Sequence, residues 1–196
     1  MDVNMSYALH ISLRSHAALL ELTGAINSRR IAATYKTQES IYMRRVVHFL
    51  AVFASAIITG GQYVVSFDYS TAGMHASFYT EKMQYAIHHI GTPLFAMLTT
   101  ATLLNLITAF LYRGDRRTFY LLIGSTACFL AGGLITKLGN IPLLDLIDTW
   151  SVSAPPADWK EIADRWYLFH SVRFGIDLVG LFMAVLSTFT RRDFRP

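Results

Sequence analysis

The chain has very little cysteine: Cys128 is the only one among its 196 residues. It cannot form an internal disulfide, and no CxxC or CxxH spacing is present for a structural zinc site. The sequence also lacks an HExxH motif and the repeated ExxH motif of di-iron bundles. Because Cys128 lies within an apolar run, we expect its thiol to pack against neighbouring side chains.

Charged side chains are also scarce, at 15% of the residues, whereas a soluble globular domain carries about 25%. Hydrophobic residues make up 53% of the chain, and the formal net charge is only +4. The basic residues stand at the ends of apolar runs and do not form one patch. This distribution argues against nucleic acid as a partner.

Four long apolar runs occupy residues 46–67, 87–112, 119–138 and 167–189, named here spans one to four. Each has about the 20 residues that a helix needs to cross a bilayer core of about 30 Å. Helices are required because the backbone has no water to bond to in hydrocarbon. The sequence therefore predicts an all-α fold, a polytopic four-helix bundle in contact with the lipid bilayer.

Two regions are expected, a basic extension over residues 1–42 and a four-helix transmembrane domain over residues 43–196. Residues 9–26 show apolar side chains at partly helical spacing, as in an amphipathic helix on the membrane surface. A loosely ordered extension fits the same residues equally well. The extension lacks the continuous apolar segment of a signal peptide.

The distribution of arginine predicts the orientation of the bundle. Arginines precede span one, fill the turn between spans two and three, and follow span four, whereas acidic residues dominate the other two loops. Both termini are therefore predicted to be cytoplasmic, with the cell membrane, in a bacterium the inner membrane, as the location. These arginines are Arg44, Arg45, Arg113, Arg116, Arg117, Arg191, Arg192 and Arg195.

The longest connection, residues 139–165, joins spans three and four on the outer side. Asp158 and Glu161 have the spacing of a capping box. We therefore expect an outer loop that contains a short helix, which begins near Asp158 and continues into span four.

Span four carries three ionisable residues, His170, Arg173 and Asp177, at offsets of three and four. These offsets place them on one helix face, and Trp166 extends that face by one turn. Arg173 and Asp177 are spaced to pair with each other. Charged groups within a span are costly and usually face the bundle interior, so the face is either a functional site or a polar seam that locks the helices together.

Other polar residues reach the same outer end of the bundle. His88 and His89 begin span two, but adjacent residues point about 100° apart, so at most one is expected to face the centre. Asn140 ends span three on that side, whereas His48 lies at the inner end of span one and is expected at the interface. The catalytic candidates are His170, Arg173, His88 and Asn140, and the cofactor-binding candidates are His89 and Trp166.

Residues 139–173 resemble the anthrone oxygenase-like family of small membrane proteins with about four helices. The resemblance rests on the segment Gly139-Asn140-Ile141-Pro142-Leu143, on Trp159, and on the pattern Trp-x-x-x-(Asn or His)-x-x-Arg that starts at Trp166. It extends over roughly residues 43–190. The chain departs from the family in having Leu144, followed by Asp145, where Asn commonly follows Pro-Leu, and His170 where many relatives carry Asn.

The resemblance implies an oxygenase that converts anthrones to anthraquinones, acting on a small apolar or aromatic molecule near the outer mouth. A histidine among His88, His89 and His170 would remove a proton, and Arg173 and Asn140 would stabilise the oxyanion. Two alternatives stay open at this point. The histidines would hold haem or copper, with no metal site defined by spacing, or the chain would be a non-enzymatic partner subunit in a homo- or hetero-oligomer.

Overall fold

The structure of the protein is a computed structural model that describes the backbone of residues 3–190 and the side chains of residues 30–31 and 34–190. The chain divides into two units, Met1–Arg45 and Val46–Pro196. The first unit contributes helical backbone from Val3 onward. Whether residues 9–26 form an amphipathic face stays a prediction, because their side chains lie outside the described part.

The architecture is all-helical, and four segments are long and apolar enough to cross a membrane: Thr34–Asp68, Gly91–Leu111, Arg116–Asp148 and Trp159–Phe189. The predicted four-helix membrane bundle is confirmed. The elements in chain order are α1 (Val3–Asp68), α2 (Ala76–His89), α3 (Gly91–Leu111), α4 (Arg116–Ile135), a π-helical turn (Thr136–Asn140), α5 (Ile141–Asp148) and α6 (Trp159–Phe189).

Predicted span two begins inside a separate helix, because α2 ends at His89 and α3 begins at Gly91. Pro93 explains this break: it has no amide hydrogen to donate to the carbonyl of His89, four residues earlier. Ile90 stands between the two helices with φ −110° and ψ −29°.

Predicted span three is longer than its apolar run. After α4 the chain passes through the π-helical turn and continues into α5, so the connection to α6 contains residues 149–158 and not residues 139–165. Pro142 is the physical reason for the turn, since its ring and its missing amide hydrogen disrupt regular α-helical bonding to Leu138. The backbone amide of Ile141 instead reaches back five residues, to the carbonyl of Thr136.

Helix α6 begins at Trp159 as expected, with Asp158 at the N-cap position. The predicted capping box does not form, because the side chain of Asp158 makes no capping hydrogen bond. The backbone amide of Glu161 bonds to the carbonyl of Asp158 at 3.0 Å and satisfies one donor of the first turn.

Helices α4 and α6 pack closely along small residues. A Cβ atom at Gly180 would lie 2.9 Å from the Cβ of Cys128 and 3.3 Å from the carbonyl oxygen of Ser125. Such small-residue contacts drive helix association in lipid, where burial of apolar surface provides no force. Cys128 is a free, partly buried thiol at this contact, as the sequence predicts.

A hydrogen-bonded group named here the Asn105 cluster (Asn105, Ser55 and Ser125) joins α1, α3 and α4. Asn105 Nδ2 donates to Ser55 Oγ and to the carbonyl of Ala101, both at 2.8 Å, and Asn105 Oδ1 accepts from Ser125 Oγ at 3.3 Å. All three side chains are fully buried. The cluster therefore acts as a packing element.

The prediction for His48 was wrong. Its imidazole is buried, with Nε2 2.8 Å from Ser187 Oγ and its ring 5.3 Å from that of Tyr112. His48 thus ties α1 to α6 inside the bundle and does not lie at the membrane interface.

The outer surface of the bundle carries large apolar side chains, as contact with lipid requires. Examples are Phe49, Phe53, Leu103, Phe110, Leu130, Leu134, Val179 and Phe182.

Candidate functional site

A cavity of about 390 Å³ lies at the end of the bundle that contains α2 and α5. Apolar side chains make up most of its wall and come from α1, α2, α3 and α5. The break at Ile90 and the π-helical turn both border it, so two proline-driven irregularities shape this end. The polar residues that line the cavity are Gln62, Tyr69, Thr92, Thr136, Asn140, Asp145, Trp166 and Arg173.

Among the described residues, Arg173 provides the only positive charge on the cavity wall, from the face of α6 that the sequence predicts. Its Nη1 donates to Thr136 Oγ1 at 2.8 Å, and its Nη2 lies 3.1 Å from His170 Nδ1. Thr136 is part of the π-helical turn, which therefore brings a hydroxyl into reach of the guanidinium. Arg173 Nε is buried without a hydrogen-bond partner among the described residues.

The predicted pair between Arg173 and Asp177 does not form. The ion pairs of the described residues join Lys82 to Asp68, His88 to Asp148 and Lys160 to Asp164. The Asp177 carboxyl group is fully buried and accepts from Gln62 Nε2 at 2.8 Å. Gly132 leaves room for it, because a Cβ atom at that position would overlap the carboxyl group.

His170 is fully buried behind the cavity and uses both ring nitrogens. A guanidinium can only donate, so Nδ1 accepts from Arg173 and Nε2 carries the hydrogen. Nε2 lies 3.1 Å from the carbonyl oxygen of Gln62 and 3.1 Å from Ser66 Oγ. The imidazole stacks on Trp166 with ring centroids 5.3 Å apart. His170 therefore fixes the position of Arg173 and does not itself line the cavity.

Asn140 lies at the end of the π-helical turn, where it is 1% exposed. Its Nδ2 donates to the main-chain carbonyl of Trp166 at 3.1 Å, whereas its Oδ1 has no partner within the described part of the chain. Gly139, just before it, permits close contact with α6, because a Cβ atom there would lie 2.7 Å from the ring of Phe169. The structure thus brings Asn140, His170 and Arg173 together.

Four polar groups of cavity-lining residues are buried and find no hydrogen-bond partner in residues 30–190: Gln62 Oε1, Asn140 Oδ1, Trp166 Nε1 and Arg173 Nε. Buried polar groups are nearly always paired, and leaving one unpaired costs about 1–3 kcal/mol. Two acceptors and two donors of residues on the cavity wall are therefore left without hydrogen-bond partners among the described residues. We name Gln62, Asn140, His170, Arg173 and Asp177 the Arg173 cluster.

The two histidines of α2 lie elsewhere. His88 is 60% exposed at its side chain, and its Nε2 lies 2.9 Å from Asp148 Oδ1. His89 is exposed, stacks on Tyr85 and has Nδ1 2.9 Å from the carbonyl oxygen of Tyr85. Neither lines the cavity. Among the described residues, no three His, Cys, Asp or Glu side chains converge as a metal-binding group.

Gln62 and Ser66 were missed at the level of sequence. Both lie in span one, four residues apart, and Ser55 and Thr59 precede them at offsets that keep one helix face. A run of small polar residues at this spacing in an apolar segment indicates a face turned toward the bundle interior. That pattern places Gln62 toward the bundle interior, although it does not identify Asp177 as its partner.

Tyr69 follows α1 and places its ring against the cavity, 4.8 Å from Lys82 Nζ. Burial raises the pKa of its hydroxyl above the usual value, and the nearby Asp68 raises this pKa further. Tyr69 is therefore a neutral hydrogen-bonding group at physiological pH and not a base.

A model of the anthrone oxygenase family matches residues 82–183, just over half of the chain. The match contains Asn140, Trp166, His170 and Arg173, whereas Gln62 lies before it. No curated protein and no solved structure matches the chain significantly.

Proposed function

The chain belongs to the anthrone oxygenase family, and from this premise we propose that it oxidises a small aromatic substrate of the anthrone type inside the cavity. In such a reaction a methylene carbon between two aromatic rings becomes a ketone. Molecular oxygen is the oxidant, with one oxygen atom entering the ketone and the other leaving as water. The rate depends on how readily the substrate loses a proton to form its electron-rich enolate.

The observation that carries this proposal is the guanidinium of Arg173 on the wall of an apolar cavity. It is held by Thr136 and His170, and no carboxylate of the described residues lies within ion-pair distance of it, although Asp177, one helical turn away, acts on it electrostatically. A fixed positive charge at low dielectric stabilises an anion far more than it would in water. An enolate oxygen at Arg173 would gain this stabilisation, whereas the neutral ketone would gain much less.

The unpaired groups around Arg173 suit the orientation of a flat, weakly polar molecule. Asn140 and Gln62 carry unpaired acceptors and Trp166 carries an unpaired donor, and all three residues line the cavity. The rest of the wall is apolar, and about 390 Å³ lies within the usual range for small-molecule sites. His170 acts as a positioning residue in this proposal, and His88 and His89 lie outside it.

The apolar side chains at the outer edge of the cavity are suited to a substrate that enters from the bilayer. Ile90, Phe95 and Ile141 line the cavity and are also exposed on the outside of the bundle. An apolar substrate dissolved in the lipid would pass between these side chains without crossing water. With the predicted orientation, the cavity lies on the outer side of the membrane, opposite the Arg113–Arg117 turn; Arg191, Arg192 and Arg195 lie outside the described residues.

The test is oxygen consumption and quinone formation by the purified protein in lipid vesicles supplied with an anthrone. We expect one oxygen molecule consumed per quinone formed, at a rate well above that of protein-free vesicles, in which anthrones oxidise spontaneously. An absorbance spectrum and metal analysis of the same sample examine the haem or copper alternative. Equal rates with and without protein would overturn the proposal.

A further inference from the structure

The proposed reaction needs a group that accepts the proton of the substrate carbon. His170 does not meet this need, because Nδ1, its only basic nitrogen, is bonded to Arg173 and the imidazole does not line the cavity. The three side chains of the cavity wall that can ionise are Tyr69, Asp145 and Arg173. Tyr69 holds its proton and Arg173 is a cation, so Asp145 remains.

The other carboxyl groups near this end are engaged elsewhere. Asp148 pairs with His88, Asp164 pairs with Lys160, and Asp177 accepts from Gln62 behind the cavity. Asp145 has no hydrogen bond or ion pair within the described part of the chain. It is also exposed and lies three residues before the end of the candidate span Arg116–Asp148, so we expect it near the membrane surface, where it can pass a proton onward to water.

Helix α5 holds Asp145 in a defined position. Asp145 lies on α5, and Ile141 and Leu144 of the same helix line the cavity beside it. Gln84 Nε2 holds the end of α5 through the carbonyls of Ile147 and Asp148, at 3.3 and 3.2 Å, and through that of Trp150 at 2.9 Å. The carboxylate thus belongs to a fixed element that faces the same cavity as Arg173.

Resting on the proposed function, we propose that the Asp145 carboxylate is the catalytic base of the oxidation. It takes a proton from the methylene carbon, and the electron pair moves to the oxygen beside Arg173. The enolate carbon then adds molecular oxygen, and the resulting peroxide anion takes the proton back from Asp145 to give a hydroperoxide. Loss of the second hydrogen of that carbon, with cleavage of the O–O bond, releases water and leaves the ketone.

A carboxylate is a weak base, but it is adequate where the enolate is stabilised. An aspartate serves as general base in ketosteroid isomerase because hydrogen-bond donors at the substrate oxygen lower the cost of forming the enolate. Arg173 provides the corresponding stabilisation here, on the same cavity wall. The carboxylate removes the proton from the substrate carbon, and the guanidinium stabilises the negative charge on the substrate oxygen.

The test separates proton removal from oxidation by measuring hydrogen–deuterium exchange at the substrate carbon in D₂O without oxygen. We expect Asp145→Asn to slow this exchange by about 10²- to 10⁴-fold and to keep the affinity for the quinone product. Asp145→Glu should restore part of the rate. Asp148→Asn is the matched control, since it removes a carboxylate three residues away that does not line the cavity.

Suppose that the wild-type protein oxidises the anthrone and that Asp145→Asn exchanges the substrate hydrogen at the wild-type rate. This result would overturn the assignment of Asp145 as the base and would leave the proposed function standing. A wild-type protein that neither exchanges nor oxidises the substrate would overturn the proposed function, and the assignment with it. Loss of product binding together with loss of exchange would also count against a base, because it would indicate a damaged cavity.

Discussion

The Asn105 cluster and the Arg173 cluster are both buried polar groups that join three parts of the bundle, yet they differ in how their atoms are paired. In the Asn105 cluster both amide donors, the amide oxygen and the hydroxyl of Ser55 have partners. In and beside the Arg173 cluster, four polar atoms of cavity-lining residues have none among the described residues. The first cluster lies away from the cavity and the second borders it.

This difference separates packing from binding in physical terms. A fully paired polar layer stabilises the association of the helices, since each interhelical hydrogen bond contributes about 0.6 kcal/mol in a membrane. Unpaired groups do the opposite and lower stability by about 1–3 kcal/mol each. Several unpaired polar groups at one cavity lower the stability of the fold, and a ligand that forms hydrogen bonds with them would raise it again.

Between the two clusters, the larger expected effect follows from removing the charge of Arg173. Arg173→Met keeps most of the buried volume but removes the stabilisation of the enolate, so we expect kcat to fall by about 10²- to 10³-fold. Quinone formation in vesicles, divided by the amount of folded protein in the same sample, measures this effect. If the activity falls only in proportion to the folded protein, the Arg173 cluster is a packing seam like the Asn105 cluster.

A smaller effect, of a different kind, is expected at the Asn105 cluster. Asn105→Ala removes the contact to Ser55 and the acceptor of Ser125, so we expect a loss of about 1–2 kcal/mol in the free energy of unfolding. For a chain of this length that corresponds to about 2–8 °C in Tm. Activity per folded molecule should stay at the wild-type value, and a specific loss of activity would show that the two clusters are coupled.

Much of the fold follows from the sequence, because lipid leaves few choices for an apolar run of about 20 residues. The four spans were predicted, and so was the face of α6 that carries His170 and Arg173. Pro93 predicts a loosened backbone one turn upstream, but not the division of this segment into two helices at Ile90, and the π-helical turn at Pro142 was not predicted. A proline marks where a helix is disturbed, but packing of the surrounding helices decides whether it breaks, bends or widens.

The site was predicted less completely for a related reason. Asn140, His170 and Arg173 meet because their spans end or begin on one side, which topology alone implies. Asp177, which was expected to pair with Arg173, instead accepts a hydrogen bond from Gln62, 115 residues away in the sequence. Such a choice depends on the rotation of α1 about its axis, which local spacing does not determine.

The smallest expected effect is that of His170→Asn, and it distinguishes a positioning residue from a base. Asn at this position can accept from Arg173 through Oδ1, which takes the place of Nδ1, and its shorter side chain gives up the contacts of Nε2 to the carbonyl of Gln62 and to Ser66 Oγ. His170→Asn should therefore keep kcat within about fivefold of wild type, the equivalent of about 1 kcal/mol. His170→Leu offers Arg173 no acceptor and should lower kcat by roughly 10- to 100-fold, as expected for a lost hydrogen bond to a charged group.

Quinone formation by the two variants, compared at equal amounts of folded protein, decides between the two roles. A base cannot be replaced by an amide, because an amide does not take up a proton at physiological pH. If His170→Asn is as inactive as His170→Leu, then His170 is the proton acceptor and the assignment of Asp145 fails. If His170→Asn is active and Arg173→Met is not, the imidazole serves to hold the guanidinium, and the unpaired atoms around it are the binding site.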